Sequence, residues 1–229
     1  MQSIAKPAEK ELVWKQYRPI FVTEKRSDKG KAFLAAHREV LERAEKEYGV
    51  PAEIITAIIG VETYYGKHTG KYTIFDSLTT LAFDYPPRSK FFRSELKQFL
   101  LLSKEENISV EDMTGSYAGA MGMPQFISSS YRRYAVDFDG DGKRDLWNSL
   151  PDVIGSVANY FSEHGWVKDE DVTFEANVKD ASIVKEKNEL KPYATISELQ
   201  EQGVTTEKSL DKDKNATLLK FEGCKGDEY

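Results

Sequence analysis

Pro51-Ala-Glu-Ile-Ile-Thr-Ala-Ile-Ile-Gly-Val-Glu-Thr-Tyr-Tyr-Gly66 is the stretch from which the fold is read. Pro51 suits the first turn of a helix, where its missing N–H would find no partner in any case, and Gly66 suits its end. Ile54, Ile55, Ile58 and Ile59 fall at i, i+1, i+4 and i+5, the spacing of one apolar helix face. Glu62 follows Ile58 by four residues and Ile59 by three, so the same spacing places it on that face. A carboxylate there loses hydration, which favours the protonated form and raises the pKa. An acid that keeps its proton near neutral pH is what general acid catalysis requires. The other reading of Glu62 is structural: a buried Glu paired with an Arg or a backbone group, or a Glu at the edge of the face.

Outward from this helix, residues 31–48 read as an amphipathic helix with Leu34, Val40, Leu41, Ala44 and Tyr48 near one stripe, closed by Gly49. The two predict a helical hairpin. Beyond it come a glycine-bounded turn at 66–70 carrying His68, a short helix near 76–84, a break at Tyr85-Pro-Pro-Arg88, and a helix over 88–104 with Phe91, Phe92, Leu96, Phe99 and Leu100 inward. His68 has no second His or Cys nearby with which to build a metal site or a triad. Gly115-Ser-Tyr-Ala-Gly-Ala-Met-Gly-Met-Pro-Gln-Phe126 is small, apolar and glycine-spaced, too broken for an ordinary helix; it suits a wall near a ligand or a tight core crossing.

Asp137-Phe-Asp-Gly-Asp-Gly-Lys-Arg-Asp-Leu-Trp-Asn148 has the spacing of an EF-hand calcium loop. Asp137, Asp139 and Asp141 stand at positions 1, 3 and 5, Gly142 at 6, Lys143 at 7 to offer its carbonyl, and Asp145 at 9. Asn148 departs from the Glu expected at position 12, and Asp152 is the next acid able to supply the missing oxygens. The other reading is a solvated Asp/Gly turn. A helix over 151–164, ended by Gly165, follows. After Trp166 the pattern changes: 172–178 and 216–222 alternate like strands and 196–202 reads as a short helix. Residues 216–222 are expected to lack a pairing partner.

The chain of 229 residues is 40% hydrophobic and 31% charged, an ordinary globular balance. Its net charge of -6 argues against a general nucleic-acid binder, which favours basic patches. No apolar run is long enough to span a membrane, Met1 to Lys10 has no signal-peptide core or lipidation cysteine, and the lone Cys224 permits no intrachain disulfide.

The motifs together resemble the lytic murein transglycosylase B family. The resemblance is carried by Gly-Val-Glu-Thr at 60–63, Gly-Ser-Tyr-Ala-Gly-Ala-Met-Gly at 115–122, Gln125-Phe126, Asp-Phe-Asp-Gly-Asp-Gly at 137–142, Leu146-Trp147 and Gly-Ser-Val-Ala-Asn-Tyr-Phe at 155–161. It implies a mainly α fold: a lysozyme-like α core with an EF-hand-like calcium loop and a small, partly β C-terminal segment. The expected divisions are an N-terminal helical segment 1–50, the catalytic core 51–170, and the segment 171–229. The resemblance further implies non-hydrolytic cleavage of the β-1,4 bond between N-acetylmuramic acid and N-acetylglucosamine in peptidoglycan, with a 1,6-anhydromuramic acid end. Glu62 would act first as acid and then as base. By position Ser116 would orient the N-acetyl group and contact Glu62, Tyr117, Gln125 and Phe126 would line the groove, Tyr160 would bind sugar, Tyr17 would close one end, and Arg88 would meet the peptide stem.

The implied cofactor is structural calcium, with no organic cofactor. The implied partners are glycan strands and cell-wall synthesis or division proteins, not nucleic acid, for a monomer of the bacterial periplasm or outer-membrane face. The family pattern has two arginines after Tyr-Pro, where this chain has Pro87 and Arg88. It also continues past residue 229 into an Arg-Tyr-Asn segment, so an internal fragment is expected. Two rival readings are a lysozyme-type hydrolase and a non-catalytic, calcium-stabilised glycan-binding module.

Overall fold

The structure is a computed structural model that describes residues 12–185 and 187–229. Two compact units are present, one of Phe21–Glu170 and one of residues 12–20 with Asp171–Tyr229. In the first unit the helix expected over 31–48 is two: α2 (Glu24–Ala36) and α3 (Arg38–Tyr48). His37 parts them, with φ -120 and ψ 24, and its N–H closes α2 on the Phe33 carbonyl. Thr23 opens α2 by accepting from the Arg26 N–H at 3.2 Å, and Gly49, at φ +73, ends α3 as expected.

The hairpin partner is α4 (Ala52–Thr63). Pro51 is its N-cap and has no side-chain oxygen to offer, so Glu45 of α3 accepts from the Ala52 N–H instead, at 3.1 Å. Across residue 50, α3 thus caps α4, and the Trp166 indole donates to the Gly49 carbonyl at 2.9 Å. The end of α4 also differs from expectation. Tyr64 and Tyr65 both take left-handed backbone, at φ 53 and 60, before Gly66 is reached. The reason is packing. A Cβ on Gly60 would lie 2.7 Å from the Tyr65 ring and one on Gly30 of α2 would lie 2.5 Å from its hydroxyl, so the ring fills a slot between two glycines.

Strand β1 (Tyr72–Thr73) pairs antiparallel with β2 (Thr114–Gly115), Tyr72 opposite Gly115. Between them run α5 (Ile74–Asp84), a 3-10 turn (Pro86–Arg88) and α6 (Ser89–Glu106). Phe92, Phe99 and Leu102 of α6 face the core, whereas Phe91 and Leu100, expected inward, are exposed. They sit a step round the helix from the buried stripe at 92, 95, 99, 102 and 103. Helices α7 (Ser128–Tyr134) and α8 (Leu150–Glu163) complete the unit, and Asp152–Ala158 of α8 is buried at every position.

The second unit holds α1 (Trp14–Phe21) up to Ile20, the pairs β3 (Ala176–Val178) with β5 (Val204–Thr206), β4 (Ala194–Thr195) with β6 (Asn215–Ala216) and β7 (Phe221–Gly223) with β8 (Gly226–Glu228), and α9 (Ile196–Glu201). The expected single strand 216–222 is thus two short strands, each paired. The chain bends between them because Thr217 Oγ1 donates to the Glu189 carbonyl and Lys220 N–H to the Asn188 side chain. Leu199, Val204 and Leu218 form a small core, and Trp14 packs on Phe221 with ring centroids 5.0 Å apart.

The Gly60 slot makes a test. Alanine is the better helix former by about 1 kcal/mol, yet Gly60→Ala drives its methyl into a ring held by a hydrogen bond. We expect urea unfolding to show a net loss of about 1–3 kcal/mol, the usual scale for overpacking. Stability equal to or above that of the parent chain would remove the wedge.

Candidate active site

A cleft of about 340 Å³ lies in the first unit. Helix α4 contributes Ile58 and Glu62, the glycine-rich loop contributes Pro124 to Ile127, α7 contributes Ser130, and α8 contributes Val157, Tyr160 and Phe161. The fully buried face of α4 is Ala52, Ile55, Thr56, Ile59, Gly60 and Thr63. Ile54, Ile58 and Glu62 form the edge beside it, four residues apart, so Glu62 lies at the rim of the apolar face and not in its centre. Glu62 is exposed by surface area, yet loss of hydration raises its pKa above the ordinary carboxylate value. Glu62 lines the cleft while part of its surface stays open to solvent. The direction of the shift is the one the sequence leads one to expect. Among the described residues lining this cleft, Glu62 is the sole carboxylate.

The opposite wall is built by backbone folded against backbone. Met121 and Phe126 exchange N–H to carbonyl bonds at 2.9 and 3.0 Å, and Ser116 N–H donates to the Ala120 carbonyl at 2.9 Å. A Cβ at Gly122, whose φ is +66, would collide with the Leu146 carbonyl. The glycines do permit close approach, but to the protein's own chain. Gln125 takes φ +52, and its Nε2 donates to the Thr69 carbonyl at 3.1 Å and the Gly122 carbonyl at 2.8 Å. Two carbonyl acceptors settle which end of the amide is nitrogen and leave Oε1 as an acceptor. Phe126 leans on Tyr160 with centroids 5.4 Å apart, and Tyr160 stacks on His164 at 4.0 Å.

Glu62, Gln125, Phe126 and Tyr160 are therefore brought to one cleft. Ser116, Tyr117 and Arg88 are not among its lining residues. Ser116 Oγ accepts from the Ala118 and Ala120 N–H groups at 3.2 and 3.0 Å, and the contact with Glu62 implied by the resemblance is absent among the described hydrogen bonds. Tyr117 is exposed. Arg88 lies over the Phe91 ring at 4.4 Å and Phe92 at 5.2 Å. Tyr17 is half-buried on α1 in the other unit. Residues passed over in the sequence are Ile58, Pro124, Ile127, Ser130, Val157 and Phe161. Ile58 was findable as the i−4 neighbour of Glu62, and Val157, Tyr160 and Phe161 as an i, i+3, i+4 face; Pro124 and Ser130 carry no such signal.

In the acidic loop, Asp137, Asp139 and Asp152 each offer an oxygen, all within 4.8 Å of one another. Asp152 is fully buried. Its Oδ1 accepts from the Phe138 and Asp139 N–H groups at 2.7 and 3.3 Å and its Oδ2 from Asp145 N–H at 2.8 Å. Desolvation raises its pKa against these bonds, while the Ser149 hydroxyl, donating to Asp139 at 2.6 Å, holds Asp139 low. Asp145 turns instead to the Trp147 and Asn148 N–H groups, and Asp141 to Lys143 N–H. The carboxylate trio thus contains Asp152, the acid the sequence offers in place of Asn148, while Asp141 and Asp145 lie outside it. Three clustered carboxylates, one buried, fit a hard cation that takes oxygen ligands.

The whole chain, residues 1–229, matches the family described as Transglycosylase SLT domain. It is 42% identical over 227 residues to membrane-bound lytic murein transglycosylase B of Escherichia coli K12, covering 99% of this chain and 62% of that protein, so the chain spans less than two thirds of that relative. The soluble lytic transglycosylase SltB1 of Pseudomonas aeruginosa superposes with a TM-score of 0.92 at 51% identity, over 100% of this chain and 76% of that one. The Escherichia coli Slt35 structure in complex with calcium superposes with a TM-score of 0.87 at 44% identity, over 94% of this chain and 68% of that one. The expected mainly α, lysozyme-like fold is the one these structures share. With the match running over its full length, the chain belongs to the Transglycosylase SLT domain family.

Proposed function

We propose that this chain is a lytic transglycosylase acting on peptidoglycan strands in the bacterial cell envelope, with Phe21–Glu170 as its catalytic unit. The observation that carries the reading is the single carboxyl, that of Glu62, among the described residues lining an apolar and aromatic cleft. Ordinary glycosidases flank the scissile bond with two carboxylates; a scheme that uses one acid twice needs no second. Glu62 gives its proton to the glycosidic oxygen as the bond to C1 breaks. The substrate's own N-acetyl oxygen bonds to C1 and stabilises the positive charge. Glu62, now ionised, takes the proton of the C6 hydroxyl, O6 attacks C1, and the N-acetyl oxygen leaves. The 1,6-anhydro ring closes and no water is consumed. Gln125 Oε1 accepts from a sugar hydroxyl or amide, and the tilted Phe126–Tyr160 pair offers apolar aromatic surface to a pyranose ring. Ser116 and Tyr117, on the loop leading to this wall, and Arg88 would meet the substrate outside the cleft proper.

Calcium binding at Asp137, Asp139 and Asp152 belongs to the same proposal, supported by the oxygen trio and by the calcium in Slt35. Its role would be structural: a divalent charge between three carboxylates holds the loop from α7 into α8.

Glu62→Gln keeps the shape and removes the titrating proton. We expect turnover of isolated peptidoglycan to fall by at least about a hundredfold, the scale of a general acid. Mass spectrometry of the muropeptides released by the parent chain should show anhydro ends. Reducing ends would mark a hydrolase, and near-normal turnover in the mutant would refute the assignment.

The raised pKa also has a stability consequence. Between the unfolded and the folded pKa the native state holds more protons, so Glu62 stabilises less as pH rises through that window. Glu62→Gln should therefore melt slightly higher than the parent at neutral pH, with the difference vanishing in acid. A mutant that melts lower at neutral pH would contradict it.

For calcium, chelation should lower the melting temperature. Saturation a hundredfold above Kd is worth about 2.7 kcal/mol, or about 5–10 °C for a chain of this size. Asp139→Ala should abolish that sensitivity; an identical melt of the parent chain with and without chelator would remove the metal.

A further inference from the structure

We propose that Thr63 is a positioning residue for the reaction: its buried hydroxyl ties the last turn of α4 to the glycine-rich loop and so sets the span between Glu62 and the Gln125–Phe126 wall. The inference rests on the assignment of Glu62 as the acid. Thr63 is 1% exposed, and its hydroxyl is used in both directions. Oγ1 donates to the Met123 carbonyl at 2.9 Å and accepts from the Gly66 N–H at 3.0 Å. The Ile59 carbonyl, at 3.3 Å, is the ordinary back-bond of a helical threonine and the weaker of the two acceptors.

Met123 is the residue from which the wall grows, since Pro124, Gln125 and Phe126 follow it directly. Its own N–H donates to the Leu146 carbonyl at 2.8 Å, so Met123 is held from both sides: by the acidic loop through its nitrogen and by Thr63 through its oxygen. A side chain that only filled space here would need no hydroxyl. Thr63 also neighbours Glu62 in the same helical turn but points into the core, so the strap crosses behind the cleft without touching substrate. Gln125, bonded to the Thr69 carbonyl, straps the same loop to the turn after α4. Together the two bonds leave α4 and the wall little freedom to part.

The test uses the full chain. Thr63→Val keeps the shape and removes the hydroxyl, whereas Thr63→Ser keeps it. Both are assayed for peptidoglycan turnover well below their melting temperatures, alongside Glu62→Gln. We expect Thr63→Val to lower kcat about ten- to a hundredfold, the cost of displacing a reacting group by a fraction of an ångström to an ångström, with KM within about threefold of the parent because binding groups remain. The alkaline limb of its pH profile should move to lower pH as the cleft wall draws away from Glu62 and its hydration increases, and Thr63→Ser should restore most of kcat. If the valine variant does not fold, Thr63→Ala is read in the same way. A valine variant that melts lower but keeps the parent kcat and pH profile would overturn the proposal, as would a serine variant as slow as the valine one. Undiminished activity of Glu62→Gln would instead refute the acid assignment, whatever Thr63 does.

Discussion

Where α4 stops is the constraint on which the cleft depends, and one aromatic ring enforces it. Two successive non-glycine residues in left-handed backbone are costly, about 1–2 kcal/mol each. The cost is met at Tyr65, whose ring occupies the Gly30–Gly60 slot and whose hydroxyl donates to the Arg26 carbonyl at 2.9 Å. Arg26 in turn donates to the Gly60 carbonyl at 2.7 Å, placing a cation at the negative end of the helix. Lys29, 4.4 Å from the centroid of the Tyr64 ring, adds to the same cluster. Glu62 occupies the last turn before this stop, so its height along the cleft is decided by the packing of Tyr65, three residues beyond it.

The acidic loop is the second organising element. A buried carboxylate accepting from three backbone N–H groups would shape the turn even without a cation, and Asp152 does this from the first turn of α8, where the helix dipole also favours its charge. Arg144 anchors the loop to α6 through Glu106, and Arg132 of α7 pairs with Glu105. The Tyr131 hydroxyl, donating to the Arg144 carbonyl, lies in the core between them. Leu146 then passes the loop's position to Met123 by one backbone bond. An acidic loop remote in sequence from Glu62 thereby supports the wall that faces it.

The two elements explain why the glycine-rich loop can be so poor in side chains. Its shape is held by backbone bonds within itself and by neighbours on either flank, with Met121 and Phe126 its buried large side chains. Gly115 and Gly122 are required because another strand of backbone occupies the space where a Cβ would go. What faces the cleft is then a short list of side chains on a rigid frame, which suits recognition of a neutral, hydroxyl-rich ligand by one acceptor and two aromatic faces.

Much of this was legible in the sequence, and the reason is local. The isoleucine spacing placed α4 and put Glu62 near an apolar face, Gly49 ended α3, and the Asp/Gly spacing at 137–142 announced the acidic loop, because periodicity and turn chemistry act within a few residues. The tertiary structure decided everything that depends on a partner distant in the chain. Tyr65 meeting Gly30 moved the end of α4 forward from Gly66. Asp152, which the spacing offered in place of Asn148, proved fully buried and bonded to three backbone N–H groups of the loop. Ser130 and Val157 reached the cleft from separate helices, and Ser116 Oγ took two N–H groups of its own loop. Residues 216–222 found two partners because side-chain bonds to Asn188 and Glu189 bent the chain between them. Spacing reports which face a residue shares with its neighbours along one element; it carries no information on which other element will cover that face.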